Sequence, residues 1–493
     1  MTSDTDNAAA FRPEARAPRG FLDKRARDLV AERRILDAVS QVYERYGFEA
    51  FDTGAFEYAD ALGKFLPDSD RPNEGVFALQ DDDEQWMALR YDLTAPLARF
   101  AAQNWETLPK PFRRYAYGTV WRNEKPGPGR YREFVQCDAD TVGSARPEAD
   151  AEIIAMAAEG LKAAGLAGGD FVLKINNRKL LDGLLAEARV ADPRQKLTVL
   201  RAIDKLDRLG WEGVQDLLGA GRLDESGAFT KGAELDPAAR EAIGEFLSVT
   251  AGDAKTLAAL SELKLGAEGE AGLLELELID AALRGLGLGS DQARIDPAVV
   301  RGLEYYTGPV FEAELLLETT GDKGEIVRFG SVGGGGRYDD LVARFTGQPI
   351  PATGFSFGVS RLAAALRAAG RDAGGHARGP VVVIAFDQAM MAAYFELAGE
   401  LRNAGIAAEV YLGTSGMRAQ MKYADRRLSP AAIILGQDEV DAGTVTIKDL
   451  DLGRELASGV TDNEAWRAER PGQLAVPRAD MVAAVRRILD AGR

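Results

Sequence analysis

The chain contains a single cysteine, Cys137, and a single histidine, His376. One cysteine excludes an intramolecular disulfide and any zinc site built on a cysteine cluster, so no zinc is expected. One histidine excludes every centre that needs two imidazoles, such as an HExxH site. A Ser-His-Asp triad would have to use His376, which sits in the stretch GRDAGGHARG and reads as a solvated linker residue. No window approaches the roughly 18 apolar residues of a bilayer-spanning helix, so no membrane partner is expected. The opening MTSDTDNAAA has no apolar signal core, and the lone cysteine suits a reducing compartment. A cytoplasmic protein is therefore expected, whose chemistry is run by carboxylates, arginines, tyrosines and backbone.

Positive charge is also scarce. Lys and Arg total 60 against 77 Asp and Glu, a net charge of −17. That balance disfavours nonspecific coating of nucleic acid. It leaves room for site-specific binding through local basic patches. The 493 residues, 46% hydrophobic and 28% charged, suit a globular chain of roughly two to four domains.

Residues 25–46 predict an amphipathic helix, with Leu29, Leu36, Val39, Tyr43 and Tyr46 at near-helical spacing and Gly47 as a stop. From 48 to 145 the pattern turns to short β-like runs, among them Trp86 to Leu89 and Tyr115 to Trp121. Residues 150–295 are rich in Ala, Leu and Glu and predict a helical insertion. β-type signals return at 295–360, followed by the linker-like LRAAGRDAGGHARGP. Beyond it, VVVIAF, IAAEVYL and AAIILG alternate with helical stretches, as in a small α/β domain with a parallel-leaning sheet.

The densest chemical signal is KPFRRYAYGTVWRNEKPGPGRYREF, residues 110–134. It sets Lys110, Arg113, Arg114, Arg122, Lys125, Arg130 and Arg132 against Glu124 and Glu133, a local reversal of the chain's charge. Arg122 ends a strand-like run beside a Pro-Gly-Pro-Gly loop, and a guanidinium fork there suits phosphate oxygens. For Lys125 and Arg130 a solvated hairpin is an equal alternative. GGGG at 333–336 reads as a strand that lets a ligand approach the backbone, and no GK[ST] follows to make it a P-loop. In RAQMKYADRR, Arg418, Lys422, Arg426 and Arg427 form either a solvated helix face or a patch for nucleic-acid phosphates.

Several blocks, in order, resemble the histidyl-tRNA synthetases. Residues 110–134 have the Arg-x-Glu-loop-Arg pattern of motif 2 in class II aminoacyl-tRNA synthetases, and GRYREF then VQCDAD resembles the histidyl branch. RGLEYYTGPVFE (301–312) resembles the histidine-specific signature, and GFSFGVSRL (354–362) resembles motif 3. PRGFLD, LRYDLTAP and the C-terminal ILGQDEVDAGTVTIKDL agree. The resemblance implies histidine activation with ATP and Mg²⁺, then transfer to tRNA-His, by a homodimer. It implies that Arg122 and Arg301 hold the α-phosphate from two sides, Arg361 the γ-phosphate, and Glu124 the adenine end. Asp92, Thr94 and Gln136 would surround the α-ammonium group. Asp140 and Tyr306, with Tyr305 nearby, would contact the imidazole. Adjacent strand residues face opposite sides, which favours Tyr306 as the one pointing inward.

The implied fold is α+β. A class II antiparallel sheet with flanking helices occupies 18–165 and 295–366, after a disordered tail at 1–17. A helical insertion follows at 166–294, then a linker at 367–380 and an α/β anticodon-binding domain at 381–493. Three features depart from the common pattern. Gly54 stands where motif 1 usually has proline, the motif 2 loop NEKPGPGRY is unusual, and LRYDLT and QCDAD look more like eukaryotic-type enzymes. The alternative is a catalytically silent paralogue that senses histidine for an ATP phosphoribosyltransferase. Arg122, Arg301, Arg361 and the C-terminal domain all count against it.

Overall fold

Helix α1, Ala26–Arg45, buries Ala31, Ile35, Val39, Val42 and Tyr43, a stripe at helical period, and ends before Gly47 at φ +79°. Leu29, expected on that stripe, is exposed. The computed structural model describes residues 13–65, 75–127, 130–223, 227–300, 306–320, 326–371, 378–457 and 472–491. The chain divides into two compact units, Met1–Gly374 and Gly375–Arg493, so the break falls inside the expected linker.

The first unit is built on an eight-stranded sheet. Its strands in chain order are β1 (Glu49–Ala50), β2 (Phe112–Trp121), β3 (Glu133–Val142), β4 (Phe171–Asn177), β5 (Ala293–Ile295), β6 (Pro309–Thr320), β7 (Ile326–Arg337) and β8 (Ala352–Gly358). Their order across the sheet is β1-β2-β3-β8-β7-β6-β4-β5. Only the two edge pairs, β1 with β2 and β4 with β5, are parallel. Everything between is antiparallel. Alternation decides what each face does. On one face Tyr115, Cys137, Ala139, Phe355 and Phe357 join a core with Val39 of α1 and Ile154 of Pro147–Ala163. The opposite face is apolar at one end, where Phe112, Val142 and Ala352 meet Leu97 and Ala101 of Thr94–Asn104. Further along the same strands that face turns polar.

The expected insertion range includes two sheet strands: β4 pairs with β6, and β5 with β4. The excursion from the sheet is therefore shorter than 166–294, because Phe171–Asn177, buried at every position but Lys174, is a paired strand of the sheet. It contains helices Arg178–Glu187, Pro193–Ile203, Leu206–Leu218, Pro237–Ser248, Ala254–Ser261 and Gly266–Gly285. Asn177, Asp192, Asp236 and Asp253 cap four of these by accepting backbone N–H bonds. Of the expected tail, residues 1–12 lie outside the described residues.

The second unit has a five-stranded sheet in the order Ala408–Val410, Val381–Val383, Ala431–Ile434, Thr444–Asp449, Gln473–Pro477. The first three strands are mutually parallel and the last two antiparallel. Among the described residues, no helix is long and apolar enough to cross a membrane.

Candidate active site

The polar stretch of the sheet face floors a cavity of about 540 Å³. Pairing sets Arg114 opposite Asp140 and Asp140 opposite Gly354; the next rows are Ala116–Asp138–Ser356 and Gly118–Gln136–Gly358. Glycines thus leave space where carboxylates project. A Cβ at Gly354 would lie 1.9 Å from Oδ1 of Asp140, and one at Gly335 would lie 2.1 Å from the Gly354 carbonyl oxygen. The GGGG run is accordingly part of β7.

Asp140 is the most heavily supported group. The Tyr338 hydroxyl donates to its Oδ1, and the Arg114 guanidinium lies 2.9 Å from its Oδ2. Arg114 is wholly buried and also donates to the Leu93 carbonyl at 2.8 Å. Tyr306 flanks the same region, its ring packed against Gly336. Gln136 is buried, and its Oε1 has no partner among the described residues. Asp92 precedes helix Thr94–Asn104, and its Oδ1 accepts the N–H groups of Thr94 and Ala95 at 3.1 and 2.9 Å. That cap fixes the turn and keeps Asp92 and Thr94 on the cavity wall.

At the other end, Arg122 follows directly on β2. Its guanidinium stacks 4.3 Å from the Tyr91 ring centroid and 5.2 Å from that of Phe134, while Nε donates to the Tyr91 carbonyl at 3.4 Å. The Tyr91 hydroxyl donates to Oε1 of Glu124 at 2.7 Å. Arg361, in the first turn of Val359–Ala368, donates to the Phe329 carbonyl at 2.6 Å. The result is a cationic end flanked by aromatic rings, and a carboxylate end set into the sheet.

Burial dominates the electrostatics of the floor. It raises the Asp138 carboxyl to about 8 against the opposing pull of Arg114, with Asp140 and Asp92 adding to the rise. Burial also raises Asp140, although Arg114 and the Tyr338 hydroxyl favour its charged form. Burial and the adjacent Asp138 push the Cys137 thiol far up, so it is no nucleophile. Among the described residues, no group of three or more His, Cys, Asp or Glu is placed to hold a metal ion.

Asp92, Thr94, Arg122, Glu124, Gln136, Asp140, Tyr306 and Arg361 all line this one cavity. Arg301, Tyr305 and His376 lie outside the described residues. Sequence reasoning passed over Asp138, Tyr338, Tyr91 and Arg114. For Asp138 the signal was present, since Gln136, Asp138 and Asp140 share a strand face at period two. Arg114 was counted only among the basic residues of 110–134, although it belongs to the interior.

Residues 20–362 match the histidyl-tRNA synthetase family, and 380–466 match the anticodon binding domain family. A histidine–tRNA ligase of Caulobacter vibrioides is 73% identical over 493 residues, covering 99% of this chain and 100% of that protein. One from Brucella suis is 54% identical over 489 residues, covering 98% of this chain and 97% of that protein. The solved histidyl-tRNA synthetase of Nostoc sp. PCC 7120 shares the fold with a TM-score of 0.71 at 28% identity, covering 97% of this chain and 100% of that one. The succession of motifs, the sheet they build and the cavity they line thus converge with these likenesses, and the chain belongs to the histidyl-tRNA synthetase family.

Proposed function

We infer that this cavity is where histidine is activated with ATP, before its transfer to the 3′ end of tRNA-His. One observation carries this reading. Two arginines able to hold phosphate share a single cavity with an acceptor-rich end able to hold an ammonium group and an imidazole. In activation, a histidine carboxylate oxygen bonds to the α-phosphorus as the bond to the pyrophosphate oxygen breaks. Such a step needs positioning and charge stabilisation more than a proton acceptor.

Arg122 holds the α-phosphate, preset by its stacking on Tyr91 and Phe134, and Glu124 lies at the adenine end. By the family resemblance Arg301 is assigned to the α-phosphate as well, and Arg361 takes the γ-phosphate. Mg²⁺ would accompany ATP and offset the charge of its phosphates. Asp92, Thr94 and Gln136 receive the α-ammonium group; the unpartnered Gln136 Oε1 and the second Asp92 oxygen suit that role. Asp140 and Tyr306, with Tyr305 beside them, take the imidazole.

The C-terminal unit contacts the anticodon arm, and the helical excursion contacts the acceptor stem. A second copy of the chain covers the three-stranded sheet of Phe56–Tyr58, Ala78–Gln80 and Trp86–Leu89, whose outer face leaves Phe56, Tyr58 and Leu79 exposed. The site of translation, the cytoplasm, is where the protein acts. Nothing found favours the regulatory-paralogue alternative.

ATP–pyrophosphate exchange with each of the twenty amino acids tests the reading. Exchange with histidine alone, abolished by Arg122→Ala, is expected. Histidine binding without any exchange would overturn it.

A further inference from the structure

Three side chains tie the start of helix Val359–Ala368 to α1. The Ser360 hydroxyl donates to Oε1 of Glu32 at 2.6 Å. Its oxygen accepts the Val135 N–H at 3.1 Å and the Lys24 ammonium at 3.2 Å. Lys24 also donates to the same Glu32 oxygen at 2.6 Å. A hydroxyl has one hydrogen and two lone pairs, so Ser360 is fully committed although it borders the cavity. It has nothing left to offer a ligand. Glu32 is buried on α1, where a carboxylate without partners would be costly.

We propose that Glu32 is a positioning residue for histidine activation, with Lys24 as its counter-charge: through Ser360 it sets the direction from which Arg361 meets the triphosphate. The proposal rests on the assignment of Arg361 to the γ-phosphate. Adjacent side chains on a helix project roughly 100° apart. Fixing Ser360 in the first turn therefore fixes the rotation of that turn, and with it the line along which the Arg361 side chain leaves the helix. The far end of Arg361 is held separately, where its guanidinium donates to the Phe329 carbonyl at 2.6 Å. Root and tip thus have independent anchors.

Packing alone does not supply that precision. Ile35 and Val39 of α1 share one apolar core with Leu362 and Leu366 of the helix. Apolar contact is non-directional and tolerates small rotations, whereas a hydrogen bond weakens steeply with angle. A buried ion pair adds little net stability over well-packed apolar residues of similar size, so stability is a poor reason for this group. Val135 supplies a better one. It precedes Gln136 on β3, so the Ser360 hydroxyl locks the helix start to the strand that floors the cavity. Misplacing a positioned group by about 1 Å can slow a reaction by about 10²-fold.

The test measures kcat and both KM values in histidine-dependent pyrophosphate exchange, with thermal unfolding alongside. The variants are Ser360→Ala, Glu32→Ala, Glu32→Gln, Arg361→Ala and the double variant Ser360→Ala with Arg361→Ala. Ser360→Ala and Glu32→Ala should each lower kcat/KM for ATP by about 10- to 100-fold and leave the histidine KM within about twofold. Glu32→Gln, whose amide oxygen still accepts from Ser360, should bring kcat/KM for ATP back to within about threefold of the parent. In the Arg361→Ala background, Ser360→Ala should change it by less than about twofold, because the residue through which it acts is gone. A merely structural role would lower kcat in step with the folded fraction, leave both KM values alone and add in full to Arg361→Ala. That pattern, or a Gln variant as impaired as the Ala variant, overturns the proposal. If Arg361→Ala itself leaves the ATP parameters unchanged, the phosphate assignment has failed and the proposal falls with it. Should Glu32→Ala not fold, Ser360→Ala and the double variant decide.

Discussion

The Arg114 guanidinium and the Asp140 carboxylate face each other across neighbouring strands, 2.9 Å apart at Oδ2, with neither open to solvent. Removing one member of such a pair leaves a buried charge without compensation, at a cost of ~3–5 kcal/mol. Arg114→Leu should therefore lower the unfolding free energy by about that amount in urea titrations. Its histidine KM should rise too, because Asp140 loses the group that keeps it charged. A loss below about 0.5 kcal/mol, the level of a surface substitution, would mean that the pair is solvated.

The same floor makes stability fall with pH. A carboxyl whose pKa is higher in the folded state keeps its proton more readily when folded. Its contribution is fully present below the unfolded value near 4 and is lost as pH rises through the folded value. For Asp138 the window runs from about 4 to about 8, and for Asp150, where burial outweighs Arg337, from about 4 to about 6. Unfolding free energy measured without ligands should decline across these windows. Asp138→Asn should flatten the upper part of the decline, between pH 6 and 8. An unchanged slope in the variant would remove Asp138 as its source.

Much of the site was legible because class II motifs place their residues by strand period and turn chemistry. Arg122 directly follows a strand, Asp92 precedes a helix, and Gly333 and Gly335 of the GGGG run sit where side chains would collide with β8. What escaped was pairing between segments distant in sequence. Arg114 looks like one more basic residue until β2 pairs with β3 and sets it against Asp140. Tyr338 is unremarkable in sequence, yet its hydroxyl reaches a carboxylate 198 positions away. The range of the insertion was misjudged for a related reason. The short segment FVLKI of β4 fits a buried helix segment as well as a strand, and only its pairing with β5 and β6 decides.

Gly354 offers a test of the crowded floor. A Cβ there meets Oδ1 of Asp140 at 1.9 Å and the Ala139 carbonyl oxygen at 2.9 Å, and the backbone atom cannot easily retreat. Gly354→Ala should raise the histidine KM more than the ATP KM and destabilise the fold by ~1–3 kcal/mol, as overpacking does. Gly399, inside helix Met391–Asn403, has nothing within 4 Å of its added Cβ. Gly399→Ala should instead stabilise by ~0.5–1 kcal/mol. If both substitutions behaved alike, the steric account of Gly354 would be wrong.

Arg122 combines charge, a planar fork and stacking on Tyr91. Lysine keeps only the charge. Arg122→Lys should reduce histidine-dependent pyrophosphate exchange by roughly 10²–10³, the usual effect of losing one donor aimed at developing charge. Tyr91→Phe removes the 2.7 Å bond to Glu124 but keeps the ring under the guanidinium. It should raise the ATP KM several-fold and change kcat little. A Lys variant with parental exchange would show that Arg122 contributes no more than a point charge.

The basic helix Met417–Arg426 separates two kinds of cation. Arg418, Lys422 and Arg426 are exposed and recur every four residues, so they lie along one face. Arg427, just beyond, makes a two-pronged contact with Glu409 at 3.2 and 3.1 Å. We expect the first three to meet RNA phosphates, whereas Arg427 ties its helix end to strand Ala408–Val410. Each phosphate contact removed should flatten the log–log dependence of tRNA binding on salt by roughly 1 and weaken binding to all RNA sequences alike. Alanine at Arg418, Lys422 and Arg426 together should do this and leave pyrophosphate exchange at the parental rate, because activation needs no tRNA. Arg427→Ala should lower the melting temperature slightly and leave the salt slope nearly intact. A triple variant with an unchanged salt slope would make this face a solvated one, and would require another surface of the C-terminal unit to hold the anticodon arm.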